Sequence, residues 1–159
     1  MINKKKILAI VPARGGSKGI KLKNLKKING QSLIEITAKF ILKCNFIDCA
    51  VLSTDHSKIA LEGKRFGLDI IDRPKKLSGD KISDTKVLLH AVNKLEKKKD
   101  IKFDIIIMLH PTSPLRSVND IKKSIKLLIL KKYDSVWTVS ETDTKLHPDK
   151  QLVIDNNKV

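Results

Sequence analysis

The 159-residue sequence holds two cysteines, one tryptophan, one tyrosine, four phenylalanines and no long apolar run. Each scarcity removes a class of protein. Cys44 and Cys49 stand five positions apart, which fits neither the CxxC spacing of metal sites nor that of redox motifs. They read as two small buried apolar residues. The longest apolar stretches, 105–109 and 127–130, fall far below the ~20 residues that a bilayer-spanning helix needs, so no membrane span is expected. The basic start leads into the apolar run 7–11 but meets Pro12 and Arg14 before any apolar region of signal-peptide length develops, which predicts a cytoplasmic protein.

Arginine is scarce as well. Of 33 basic residues four are arginine (Arg14, Arg65, Arg73, Arg116) and 29 are lysine, against 17 acidic residues, for a net charge of +16. Readers of nucleic acid use arginine for bidentate contacts and aromatics for stacking, and only 4% of this chain is aromatic. The lysines recur in nearly every segment instead of massing in one, so most of the charge reads as solvated surface. With five prolines and seven glycines there is no linker between segments, no internal repeat and no low-complexity tract beyond 97–99. One domain over 1–159 is expected, long enough to bury roughly 70% of its unfolded surface without disulfides or a structural metal.

What is present is alternation. Short β-branched apolar runs at 7–11, 50–53, 68–71, 105–109 and 135–139 read as strands, most of them continuous, as in parallel strands covered on both faces. Amphipathic stretches at about 31–44, 56–66, 84–98 and 118–131 read as the helices between them. In the first, Leu33, Ile36, Thr37, Phe40, Ile41 and Cys44 form one stripe; in the last, Ile121, Ile125, Leu128 and Ile129 do, with Asp120 in the first turn, where the helix dipole favours it. Trp137, inside the fifth run, reads as core. This βαβα order predicts a Rossmann-like, three-layer α/β/α domain on a mostly parallel sheet. Beyond 139 the pattern changes to His147-Pro148, the run 151–155 and Asn156-Asn157, a hairpin signal whose second strand barely begins, so a truncated chain is expected.

In such a sheet ligands bind beyond the carboxyl ends of the strands. The segment after the first strand reads Pro12-Ala13-Arg14-Gly15-Gly16-Ser17-Lys18-Gly19-Ile20-Lys21-Leu22-Lys23-Asn24. Gly15, Gly16 and Gly19 let the backbone turn sharply and bring N–H groups close to an anion, while Arg14, Lys18 and Lys23 supply fixed positive charge, the pairing a polyphosphate requires. The loop matches neither the P-loop spacing nor GxGxxG. A basic surface loop is the alternative, and the loop's place at the end of strand one argues against it.

Residues 9–19, followed by Lys23-Asn24, resemble the signature of the acylneuraminate cytidylyltransferases (CMP-sialic acid synthetases). The resemblance continues at Ser53-Thr54-Asp55, at Arg73-Pro74 and the 80–84 loop, at Pro111-Thr112-Ser113-Pro114-Leu115-Arg116, and more weakly at His147-Pro148. It implies a nucleotidyltransferase fold, transfer of CMP from CTP to a nonulosonic, sialic-acid-like sugar acid with Mg²⁺ and release of pyrophosphate, and a homodimer in full-length members. Carried over by position, Arg14 and Lys23 would meet the triphosphate and act in catalysis, and Gly15, Gly16, Ser17 and Lys18 would complete its cradle. Asn24, Arg73 and Ser83 would fix the nucleotide, and His110, where the sialic acid branch carries glutamine, would stand beside it. Thr112, Ser113 and Lys150 would face the sugar acid. Lys21 replaces a proline common in relatives. The family's metal aspartates are expected after the end of this sequence, together with the rest of a dimerisation and sugar-site segment that 146–159 begins; no Asp-x-Asp occurs within it. Asp55 reads either as a group near a metal or as a helix cap.

His56, His90 and His147 fall on separate segments and make no metal cluster. Two rivals to the enzyme are a CTP-binding module without activity and a basic nucleic-acid-binding protein.

Overall fold

The computed structural model describes residues 4–139. Among them a four-stranded sheet has the order β5-β4-β1-β6, with β1 at Ile7–Pro12, β4 at Cys49–Thr54, β5 at Asp69–Asp72 and β6 at Ile105–Met108. Every pairing is parallel: Ile10 lies opposite Val51 and Met108, and Leu52 opposite Ile70. Parallel strands need crossovers, and helices supply them. α1 (Leu33–Leu42) and α2 (Ser57–Arg65) follow β1 and β4, and α3 (Asp84–Lys99) precedes β6. Between β1 and α1 a short hairpin, β2 (Lys27–Ile28) with β3 (Gln31–Ser32), delivers Ser32 as the cap of α1. Its hydroxyl accepts from Glu35 N at 3.0 Å, satisfying a donor that the helix start leaves unpaired.

Strand alternation divides the sheet between two helical layers. Val51 and Ile71 pack with Leu8, Ile10, Ala91 and Leu95 of α3 in one cluster, while Leu52 and Ile70, their neighbours along the strands, meet α2 at Gly63. Residues Ile7 to Val11 of β1 are all 0% exposed, which is why this strand reads as an unbroken apolar run. Carboxylates fasten the opposite edge: Asp48 accepts from Ile7 N at 2.8 Å, Asp104 from Lys6 N at 2.8 Å, and Glu96 from Phe103 N at 3.0 Å.

The chain divides into two compact units at Val118/Asn119. In the second, α4 (Val118–Lys131) has Asp120 in its first turn and buries Ile125; Lys132 then turns left-handed at φ 54°.

Four strands and four helices fall where the sequence places them, within two or three residues. The fifth strand does not form: residues 135–139 pair with no strand among the described residues, and Trp137 is 69% exposed instead of core. An apolar run becomes a strand only when a ladder partner satisfies its backbone, and this one has none there. In α1 the stripe is broader than its spacing suggests, since Ile34 and Ala38 are buried and Ile36 only half so. Cys44 is buried, where burial pushes its thiol pKa up, and Cys49 is half-buried; both are free thiols. The 146–159 segment, with Lys150, lies outside the described residues.

Candidate active site

Parallel strands all end on the same edge, so the segments after β1, β5 and β6 meet there. They enclose a cleft of about 570 Å³ whose walls include Arg14, Ser17, Lys18, Lys23 and Asn24 from the first loop, Arg73, Asp80 and Asp84 from the second, and His110 and Thr112 from the third. Eight of the thirteen positions carried over from the resemblance line it. Gly15, Gly16, Ser83 and Ser113 do not, and Lys150 is not among the described residues.

The first loop is held by its neighbours. Gly15 N donates to Asp55 Oδ1 at 2.8 Å, Ala13 N to Ser53 O at 3.0 Å, and Asn24 Nδ2 to Arg14 O at 3.2 Å. Asp55 therefore anchors this loop; the cap of α2 is His56, whose Nδ1 accepts from Lys58 N. A Cβ on Gly15 would stand 2.7 Å from His56 Cδ2, whereas at Gly16 and Gly19 it would meet nothing within 4 Å. None of the three glycines takes a positive φ, so the loop needs glycine once, for close approach, and not for sharp turning. The left-handed residue is Leu22, φ 49°, which opens the 3₁₀ turn Lys23–Leu25 and leaves Lys23 in the cleft wall. Lys23 is half-buried, and no carboxylate among the described residues pairs with it.

Arg14 and Lys18 are paired. Asp80 Oδ1 lies 2.6 Å from Arg14 Nη2 and Asp80 Oδ2 2.6 Å from Lys18 Nζ, and Arg14 Nη1 donates to Ser78 O at 3.3 Å. The hydrogen bonds to Asp80, that of Lys18 first, hold its carboxyl below the usual carboxylate range.

Arg73 is a frame residue. Only 7% exposed, it donates Nε to Ser53 Oγ at 3.1 Å and Nη2 to Ser53 O at 2.6 Å, and its own N–H bonds Thr54 O, so it clips the end of β5 to β4. Burial lowers its pKa, with Asp55 opposing. Asn24, likewise buried, spends its amide on the loop backbone. Ser83 stands at the N-cap of α3 without a side-chain cap bond and is exposed.

In the third segment Arg116 lies over the Phe40 ring at 5.5 Å and donates to His110 O, which fixes the backbone beneath the His110 ring. His110 Nε2 faces Asp84 Oδ2 at 3.5 Å. Among the described residues no three His, Cys, Asp or Glu side chains converge on a metal-sized site, and no helix is long and apolar enough to cross a membrane.

Asp55, Asp80, Asp84 and His56 make contacts that spacing alone does not reveal. Asp80 carries the one usable signal, an acid inside a matched motif facing a loop of cations.

The family model described as Cytidylyltransferase matches residues 8–158. The N-acylneuraminate cytidylyltransferase of Escherichia coli O18:K1:H7 is 30% identical over 139 residues, 87% of this chain and 32% of that protein. The CMP-N,N'-diacetyllegionaminic acid synthase of Legionella pneumophila is 34% identical over 125 residues, 77% of this chain and 53% of that one. The chain thus spans from a third to about half of the length of these relatives. Among solved structures, a CMP:2-keto-3-deoxy-manno-octonic acid synthetase complexed with CTP matches the fold with a TM-score of 0.68 at 22% identity, covering 80% of this chain and 49% of that one.

Proposed function

The chain belongs to the cytidylyltransferase family, and on that footing we propose that its cleft takes CTP and that it transfers CMP to a nonulosonic, sialic-acid-like sugar acid with release of pyrophosphate. The observation that carries this reading is the convergence of Arg14, Lys18 and Lys23, all from one loop, on the cleft at the carboxyl edge of the sheet. Lys23 in particular is a half-buried cation with no carboxylate partner among the described residues, and such a group calls for an anionic ligand.

The sugar's anomeric oxygen attacks the α-phosphorus in line and the bond to the bridging oxygen of pyrophosphate breaks. Arg14 and Lys23 neutralise charge as it develops, and Lys18, at the outer end of the loop, receives the β- and γ-phosphates. Asn24 and Arg73 act by holding the walls, since Asn24 Nδ2 is bonded to Arg14 O and Arg73 Nε and Nη2 to Ser53. Thr112 is left to face the sugar acid, and His110 stands beside the nucleotide.

Magnesium usually reaches such sites on substrate phosphates with one or two carboxylates. The cleft carboxylates that fit are Asp84 and, less well, Asp80, which two cations already engage. Bound there, such an ion would supply charge neutralisation for the phosphates.

Calorimetric titration with CTP tests the reading. We expect saturable binding that Arg14→Ala weakens at least about tenfold while the melting temperature stays within about 2 °C, because the ion pair that Arg14 makes with Asp80 is solvated. Release of pyrophosphate from CTP with Mg²⁺ and a panel of nonulosonic acids tests turnover; binding without release would reduce the chain to a CTP-binding module, and no binding would overturn the proposal.

A further inference from the structure

Asp80 stands in an unusual relation to the cations around it. Its two oxygens lie 2.6 Å from Arg14 Nη2 and 2.6 Å from Lys18 Nζ, so one carboxylate bridges two of the three first-loop cations that line the cleft. It comes from a different segment, 66 positions after Arg14 and beyond the end of β5, and that segment also takes the other end of the guanidinium through Ser78 O. The bridging geometry, two oxygens of one anion each engaging one cation, is the geometry that a phosphate would use on the same pair.

We propose that Asp80 is an internal counter-anion for the phosphate site: a carboxylate that occupies the oxygen positions between Arg14 and Lys18 and that a polyphosphate displaces on binding. This rests on the cleft being a polyphosphate site and adds a residue that sets its affinity. The donors on Arg14 Nη2 and Lys18 Nζ that face Asp80 cannot face a phosphate oxygen as well without the carboxylate moving. The Asp80 side chain is 38% exposed and that of Lys18 82%, so the bridge is solvated and exchanges at modest cost. Lys23, which has no such partner among the described residues, stays available for the first encounter. Because the displaced carboxylate takes the place of salt ions in neutralising the two cations, fewer ions are released when phosphate binds, and binding is less salt-dependent than three free cations would make it.

The test is titration of wild type, Asp80→Asn, Lys18→Ala and the double variant with inorganic triphosphate and with CTP, each at low and moderate salt. Removal of the competing charge with its shape retained is expected to tighten inorganic triphosphate by a few-fold, up to about tenfold, and to steepen the salt dependence. In the Lys18→Ala background the gain from Asp80→Asn should shrink, because half of the bridge is already gone. Binding that is weaker or unchanged in Asp80→Asn, with an unaltered melting temperature, overturns the proposal and would make Asp80 a residue that aims Arg14. An Asp80→Asn variant that melts lower is replaced by Asp80→Ser, read in the same way. If wild type binds CTP but the Asp80 variants gain nothing, only this inference fails; if neither wild type nor Asp80→Asn binds triphosphate or CTP, the function proposed above fails with it.

Discussion

At Gly15 a single hydrogen atom decides whether the first loop lies against α2. A methyl there would stand 2.9 Å from His56 Cβ and 2.7 Å from its ring, contacts that require the cap of α2 to shift. Gly15→Ala is expected to lower stability by about 1–3 kcal/mol, the usual range for overpacking, while Gly16→Ala is neutral; thermal melts of both, and of Gly15→Ala with His56→Ala, check it, the second change restoring most of the stability. Arg73 makes the complementary case. Truncation to Ala takes the guanidinium donors away from Ser53 Oγ and from Ser53 O, the second of which keeps Ala13 N, and is expected to cost about 2–4 kcal/mol, read by urea denaturation, in contrast to the thermally silent Arg14→Ala. The sequence marks both arginines as ligands, because residue type and motif say that a guanidinium is present; that one is spent on Ser53 follows only from the approach of β5 to β4. The same limit hides Asp55, whose partner Gly15 is 40 positions away.

At the scale of elements, α2 sits close to the sheet through Gly63, where an added Cβ would clash with the Leu52 side chain and touch Ile70 Cδ1 at 3.1 Å. Glycine is otherwise a poor helix residue, so its presence mid-helix marks a packing demand. Gly63→Ala should therefore destabilise, by about 1–3 kcal/mol, although helix propensity alone predicts a gain; the sign of the melting-temperature change separates the two effects. The elements of the sheet are legible in the sequence because continuous apolar runs are what two-sided burial selects. Residues 135–139 share that composition without forming a strand, since composition reports what a segment can bury and not which neighbour completes its hydrogen bonds.

For the whole molecule the charge of +16 separates into a few cations at one edge and a solvated remainder. If the cleft is the anion site, duplex DNA should fail to displace bound CTP at moderate salt. A fluorescence competition read against ionic strength checks this, and strong displacement by DNA would favour the nucleic-acid alternative. Stability should also respond to pH through His90. Its Nδ1 is buried with no hydrogen-bond partner among the described residues, and burial first, then Lys94, Arg73 and Lys76, push its pKa below the ordinary 6.5. The fold therefore favours the neutral ring: this contribution is fully present above pH 6.5 and is lost as pH falls from there through the lowered value. Chemical denaturation from about pH 7.5 down to about pH 5 should show declining stability, and His90→Gln should flatten that slope.

The position of β1 inside the sheet has a consequence for how the chain is made. Its first edge is closed by a segment whose Asp48 lies 41 positions beyond Ile7, its second by one whose Asp104 lies 98 positions beyond Lys6. At a synthesis rate of roughly 5–20 residues per second, β1 waits on the order of 5–20 s beside the ribosome before β6 exists to cover it. Throughout that interval this strand, whose residues Ile7 to Val11 end fully buried, has at least one bare edge, and the lysines that flank it at positions 4–6 are the charges that discourage a neighbouring nascent chain from filling it.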